Sequence, residues 1–209
     1  MNKKYKIALC IIGVLLLLCL GLLIYKKIYY ENKGENAPTV YSSIIDKIEG
    51  YEYTLDDRDT EIFKEKYYEL KEILQQEEID YEQYAEKIAE LFAIDLLTIS
   101  NKVNKYDVGG LEYLYDSERD MYKSKVMDTL YDYVEDNSYG NRKQKLPTVT
   151  NVTIDEVEET EYIVGKQTLD SYEFHLILDY KEDLEYDSDI TITTVIDKNK
   201  VYIVKYTAN

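Results

Sequence analysis

Residues 84–99 read YAEKIAELFAIDLLTI, and their apolar positions recur every three or four residues. This spacing predicts an α-helix over about residues 80–100 with one broad apolar face. Near its end Ala93, Ile94 and Leu97 add apolar side chains around the rest of the helix. Since a helix that is apolar almost all round is normally buried, we expect this end to lie at the centre of the core.

Two more helices are predicted around this central one. The first is expected to begin with a capping pattern over residues 54–57, and the other begins at Ser117, where Asp120 completes a Ser-x-x-Asp cap. Each has an apolar side with helical spacing. These sides are formed by Phe63, Tyr67, Leu70 and Leu74 in the first, and by Tyr122, Val126, Thr129, Leu130, Tyr133 and Val134 in the other.

After Gly140 the apolar period changes from about 3.6 to two, which is typical of strands. A tight hairpin is predicted at residues 197–200, DKNK. Three helices followed by a meander predict an α+β fold, with the helices packed on one face of a curved antiparallel sheet of about four strands. The predicted strands are 148–158, 171–181, 188–197 and 200–207.

An uncharged apolar run, IALCIIGVLLLLCLGLLIY, occupies residues 7–25. A helix of this length spans about 28 Å, which matches a bilayer core of about 30 Å. A cleavable signal peptide would have a shorter apolar region and a small-residue cleavage site. A lipoprotein signal would need a small residue before Cys10 or Cys19, and leucine precedes both. We therefore interpret the run as an uncleaved transmembrane signal-anchor that precedes the α+β domain.

The anchor divides the chain into four predicted parts. Residues 1–6 form a cytoplasmic tail, 7–25 a transmembrane helix, 26–53 a juxtamembrane linker with room for a short helix, and 54–209 an extracytoplasmic α+β domain. The lysines on the two sides of the anchor nearly balance, but a long following domain translocates largely regardless of its charge. The predicted location is the cell membrane, with a single pass and the amino terminus in the cytoplasm.

The charge and the residue types exclude several classes of function. The chain has 25 Lys and Arg against 42 Asp and Glu, a net charge of −17, and without the five lysines that flank the anchor the net charge is −22. Nucleic-acid binding needs a basic surface and is excluded. Both cysteines lie in the anchor, and His175 is the single histidine. We therefore predict no metal, no cofactor and no catalytic residue, which favours a protein that is not an enzyme.

The predicted order of elements over residues 55–207 resembles the nuclear transport factor two-like (cystatin-like) cone. Membrane-tethered members of that family form outward-facing domains of conjugation-channel and type IV secretion subunits. Residues 107–113, DVGGLEY, also resemble uncharacterised small membrane proteins of low-GC Gram-positive bacteria. The family includes enzymes, ligand binders and scaffolds, so the resemblance implies a cone-shaped sheet and a bacterial envelope setting without a particular activity.

Two single residues are candidate ligand contacts. Asp95 falls inside the apolar face of the central helix, where a carboxylate is costly to desolvate unless it is hydrogen-bonded or protonated. It is either a ligand anchor at the mouth of the cone or an acceptor for backbone N–H groups around residues 108–110. His175 lies on the polar side of its strand beside Glu173 and Asp179, either as part of a site or as a surface histidine.

A basic cluster in the loop before the sheet is a candidate docking site. Arg142, Lys143 and Lys145 form it, within an otherwise acidic domain. The cluster could bind an acidic protein, an anionic envelope polymer or lipid, or it could balance nearby carboxylates.

The sequence therefore predicts a single-pass, membrane-anchored interaction domain. We expect it to be an accessory or scaffold component of a cell-envelope assembly, with a protein partner or self-association. The alternative is a cone-fold domain that binds a small ligand on its concave sheet face, with catalysis less favoured.

Overall fold

The computed structural model describes residues 20–22, 25 and 42–208. Residues 20–22 and 25 are helical and exposed, and they belong to a unit separate from the domain that follows. Within these described ranges, no helix has both the length and the apolar character needed to cross a membrane. Apart from those four positions, the transmembrane helix predicted over residues 7–25 lies outside the described residues.

The domain over residues 42–208 has three α-helices, two 3-10 turns, a two-stranded sheet and a four-stranded sheet whose neighbouring strands follow one another in the chain. Both sheets are antiparallel. In chain order the elements are β1 Ile44–Lys47, β2 Thr54–Asp56, α1 Glu61–Leu74, α2 Tyr81–Leu97, the 3-10 turns Ile99–Asn101 and Leu111–Tyr113, α3 Asp116–Met127, β3 Val149–Val164, β4 Gln167–Tyr180, β5 Asp189–Asp197 and β6 Lys200–Ala208.

The domain is α+β, but the predicted fold of a transmembrane helix and three helices on a single sheet was wrong. No membrane-spanning helix is found among the residues described, and a second sheet is present, formed by β1 and β2. These strands have four and three residues, too few for a period of two to be recognised. Their hairpin nevertheless buries Ile48, Tyr53 and Leu55 in the core.

Two helix ends differ from their predicted positions. α1 begins after Thr60, whose hydroxyl accepts the Phe63 N–H at 3.4 Å, because residues 54–56 pair with β1 instead of capping the helix. α3 ends at Met127, so the helical spacing predicted beyond it does not apply. Tyr133, predicted on the inner side, is 85% exposed, while Tyr131 is fully buried and donates to the Leu96 carbonyl at 2.7 Å.

The central helix lies where the sequence predicted. α2 contacts all four strands of the larger sheet, and its second half is buried almost all round. Two of the buried tyrosine hydroxyls are satisfied locally, since Tyr53 and Tyr84 bond each other at 2.8 Å and Tyr84 accepts the Val201 N–H at 3.3 Å. The core therefore uses tyrosine as its main aromatic residue and pairs several of the phenol groups.

Two hairpin turns connect strands of the larger sheet. β5 and β6 are joined through Lys198 and Asn199, both with positive φ, as a two-residue hairpin requires. β3 and β4 are longer than predicted and meet at Gly165. Opposite residues 193 and 194 of β5, β6 has one extra residue, Val204, which is a β-bulge in this edge strand.

Candidate functional site

A polar cavity of about 190 Å³ lies between the β1–β2 hairpin, the start of α1, the end of α2 and the segment 99–112. We call it the polar cavity. Its wall contains five carboxylates and two cationic side chains, together with the amide of Asn101. The carboxylates are Asp56, Asp59, Asp95, Asp107 and Glu112, and the cations are Arg58 and Lys102.

Asp95 holds the turn at one side of this cavity. It accepts the Gly110 N–H at 2.6 Å and forms an ion pair with Lys102, whose side chain is 8% exposed. The turn passes so close to α2 that a Cβ on Gly109 would lie 2.2 Å from the Asp95 carbonyl oxygen. Both alternatives for Asp95 thus have a counterpart in the geometry, because it bonds the backbone turn and also lines a cavity.

Arg58 organises a second side of the cavity. Its guanidinium contacts Asp107 at 2.6 Å and Asp56 at 3.5 Å, and Asp107 also accepts the Val103 N–H at 2.9 Å. Burial alone would raise the pKa of Asp107, but the hydrogen bonds from Arg58 and Val103 outweigh it and lower this pKa. Asp107 is therefore ionised and forms an ion pair with Arg58.

Asp59 and Glu112 have no cationic partner among the described residues. Asp59 accepts the Asp56 N–H at 2.7 Å, and Glu112 accepts the Thr54 hydroxyl at 3.0 Å. Burial, with a smaller contribution from the charge of Asp95, raises the pKa of each carboxyl to about 7. Two carboxyl groups in this wall can therefore exchange protons near neutral pH.

The raised pKa of Asp59 predicts that Asp59→Asn stabilises the protein. A folded-state pKa above the ordinary 3.8 means that the folded protein binds the proton more tightly, so the free energy of unfolding falls as pH rises from about 4 to 7. Asn keeps the bond to Asp56 without this penalty. We expect a gain of about 1–2 kcal/mol at pH 8 that shrinks toward pH 4, measured by urea unfolding.

Asp170→Asn is the matched control, since Asp170 is exposed on β4. Its stability should follow that of the parent chain at every pH. A gain from Asp59→Asn that is the same at pH 4 and pH 8 would contradict the assignment.

His175 lies apart from the polar cavity. It is on β4 between the buried Phe174 and Leu176, so its ring points to the other face of the sheet. Its Nε2 is 2.6 Å from Asp189 and its Nδ1 is 3.1 Å from Asp155. Hydrogen bonds that the protonated ring donates to Asp189, and then to Asp155, raise the pKa of His175 despite desolvation. The structure therefore does not bring the two predicted ligand contacts, Asp95 and His175, together.

The basic cluster is divided among different contacts. Arg142 donates to the carbonyls of Ser100 at 2.7 Å and Lys102 at 2.9 Å, so it ties the segment beside the polar cavity to the following loop. Lys145 pairs with Glu182 at 2.6 Å, and Lys143 is exposed. The docking role of these three residues stays a prediction.

Most of the cavity wall was missed in the sequence. The pattern over residues 54–57 predicts the start of a helix, and residues 107–113 show only a resemblance to small membrane proteins. The one local signal was Asp95, a carboxylate in an apolar helix face, which implies a partner without saying where in the chain it lies.

A second candidate site is an apolar groove along α3 and β6. Two adjoining cavities of about 580 and 550 Å³ form it, and we call it the α3–β6 groove. The end of β3 with Gly165 lines one part of the groove, and Leu96 and Leu130 line the other. Side chains shared by both cavities are Tyr122, Lys125, Val204, Lys205 and Tyr206.

The groove exposes large apolar side chains next to two lysines. Met121 is 68% exposed and Ile163 is 70% exposed. Lys125 is in no ion pair within the described part of the chain, and Lys205 contacts the half-buried Glu173 at 3.6 Å. A contiguous apolar surface with a polar rim is characteristic of a binding site.

Comparison with protein families, curated proteins and solved structures found no match to this chain. The resemblance to nuclear transport factor two-like domains stays a prediction. The class supported by the geometry is an α+β domain with one polar cavity of mixed charge and one apolar groove.

Proposed function

We propose that residues 42–208 form a protein-interaction domain, held at the cell membrane by the apolar run 7–25 with the domain outside the cell. The occupant of the α3–β6 groove is an apolar segment of a partner protein that carries a carboxylate. The domain then serves as an accessory or scaffold of an envelope assembly. The observation that carries this proposal is the groove itself, with its exposed Met121 and Ile163.

The composition of the groove supports a protein partner. Interface centres are rich in tyrosine and methionine, and they are surrounded by a polar rim. Residues of these types line the groove, together with the charged Glu118 and Lys125. Its aromatic and methionine members are Tyr115, Met121, Tyr122, Tyr162 and Tyr206.

Charge complementarity favours a carboxylate on the partner segment. Lys125 and Lys205 line both halves of the groove, within a domain that is otherwise strongly acidic. A carboxylate beside Lys125 gains an attractive contact, whereas a basic segment meets a like charge. The ammonium of Lys205 lies 3.6 Å from Glu173, which alternates with the buried Phe174 on β4 and therefore lies on the other face of the sheet. Lys125 thus favours an apolar segment that carries a carboxylate.

Recognition takes place through side chains. β6 is an edge strand, but the bulge at Val204 interrupts its regular backbone pattern. Bulges of this kind hinder the addition of another strand. Because Val204 lines both halves of the groove, the bulge directs recognition to the groove surface.

The proposal predicts a site-specific cross-link. A photoreactive amino acid at position 121 of the full chain, in intact cells, should give a discrete adduct with one partner. Mass spectrometry of the adduct should identify an apolar peptide with at least one Asp or Glu. Lys125→Glu should reduce the adduct about tenfold, because it removes one attraction and adds a repulsion, about 1.4 kcal/mol or more.

Position 139 provides the control, since Tyr139 is 80% exposed and lies outside the groove. The same adduct from position 139 would show non-specific proximity. An adduct with a second copy of this chain, or with a segment that has no carboxylate, would overturn the assigned occupant. Lys125→Glu without effect would do the same.

Small-ligand binding is the second candidate function, and one observation favours it, the polar cavity beside Asp95. Its placement differs from the sequence-based alternative, which used the concave sheet face with Asp95 or His175 as a polar contact.

A further inference from the structure

We propose that the polar cavity is a binding site for a small organic cation, an amine or a guanidine, held by Asp59 and Glu112. This inference is independent of the proposed docking function, because it concerns other residues and another type of ligand.

The charges of the wall leave an excess of acceptors. Lys102 is engaged by Asp95, and Arg58 is engaged by Asp107 and Asp56. Asp59 and Glu112 are then the carboxylates without a cation among the described residues. Buried carboxylates are normally paired with a positive group, so the missing complement is a cation with N–H donors.

Unpaired buried atoms at the same place support a ligand. The Asn101 Oδ1 is buried without a hydrogen-bond partner, while its Nδ2 donates to the Arg58 carbonyl at 3.2 Å. Such groups are rare in folded proteins and call for a partner.

Arg58 adds one requirement of the opposite kind. Its Nε is buried without an acceptor. A hydroxyl of the ligand or an ordered water satisfies this donor. The ligand therefore presents N–H donors to the two carboxylates, and there is an acceptor role for a ligand oxygen near Arg58.

The size and arrangement favour an organic cation over a metal ion. In the part of the chain that the structure describes, no group of three or more His, Cys, Asp or Glu side chains is arranged to hold a metal. The cavity of about 190 Å³ has room for roughly six water molecules at about 30 Å³ each. A short diamine or a guanidino compound fits this space.

Binding should be coupled to proton release. Asp59 and Glu112, each with a pKa of about 7, must ionise to attract the cation. The other charged groups of the wall are already committed to one another, and they are Asp56, Asp95, Asp107, Arg58 and Lys102. We therefore expect affinity to fall roughly tenfold or more between pH 8 and pH 6.

The test is calorimetric titration of the full chain in mild detergent with putrescine and with agmatine. At pH 8 at least one of them should bind saturably to one site. The observed heat should differ between buffers of different ionisation enthalpy, which reports the released protons. 1,4-Butanediol, the neutral analogue of putrescine, should not bind.

The variant Asp59→Asn with Glu112→Gln should lose the binding. Both substitutions keep acceptor oxygens for Asp56 and Thr54, so the fold is retained and thermal melting verifies it. Asp170→Asn should bind as the parent does. The proposal is overturned if neither amine binds at pH 8 at millimolar concentration, if the double variant still binds, or if butanediol binds equally well.

Discussion

Gly109→Ala is expected to lower the free energy of unfolding by about 3 kcal/mol or more. The added methyl group would meet the Asp95 backbone, with its carbonyl oxygen at 2.2 Å and its carbonyl carbon at 2.6 Å. Neither side can yield easily, because α2 is the centre of the core and the next residue donates its N–H to the Asp95 carboxylate. The turn at Gly109 and Gly110 would have to move away from α2.

Gly140→Ala is the matched control for this prediction. Gly140 has a φ of +68° and nothing within 4 Å of the added carbon, so only the backbone strain of alanine is measured there. That strain costs about 1 kcal/mol. Urea unfolding of both variants checks the difference. Equal losses at the two positions would show that the close approach of Gly109 to α2 does not constrain the fold.

Lys102→Met is expected to cost about 3–4 kcal/mol at neutral pH. The substitution keeps the apolar part of the side chain but leaves Asp95 without its cation in a wall that already has excess carboxylates. The remaining charges repel one another and cannot all be solvated. The loss should become smaller on acidification to about pH 5, because protonation of Asp59 and Glu112 removes part of the repulsion.

Lys143→Met is the control, since Lys143 is exposed and forms no ion pair with a described residue. Its effect should stay within about 0.5 kcal/mol. Denaturant unfolding at pH 7 and pH 5 distinguishes the two. A loss from Lys102→Met that is small at pH 7, or that grows at pH 5, would show that the pair with Asp95 does not stabilise the cavity wall.

Local sequence patterns predicted the long helices and strands well. The apolar spacing of α2 predicted a buried central helix, and alternation predicted the strands of the larger sheet. The turn at Lys198 and Asn199 was also predicted, because a two-residue hairpin has a distinctive composition. Each of these signals needs only neighbouring residues.

Elements that depend on distant partners were missed. Residues 54–56 resembled a helix cap, yet they pair with residues 44–47 as a strand. The apolar helix face around Asp95 indicates that its carboxylate needs a partner, but the sequence offers no way to choose Lys102.

The sequence by itself determined a buried central helix, a four-stranded meander and an acidic domain after an apolar run, because periodicity and charge are properties of short stretches. Only the tertiary structure decided that Thr54 meets Glu112 and that Arg58 meets Asp107. Those pairs are 58 and 49 residues apart in the chain. Which carboxylates share one cavity, and which of them find a cation, depends on how the hairpin, two helices and a loop pack together, and no local pattern encodes that.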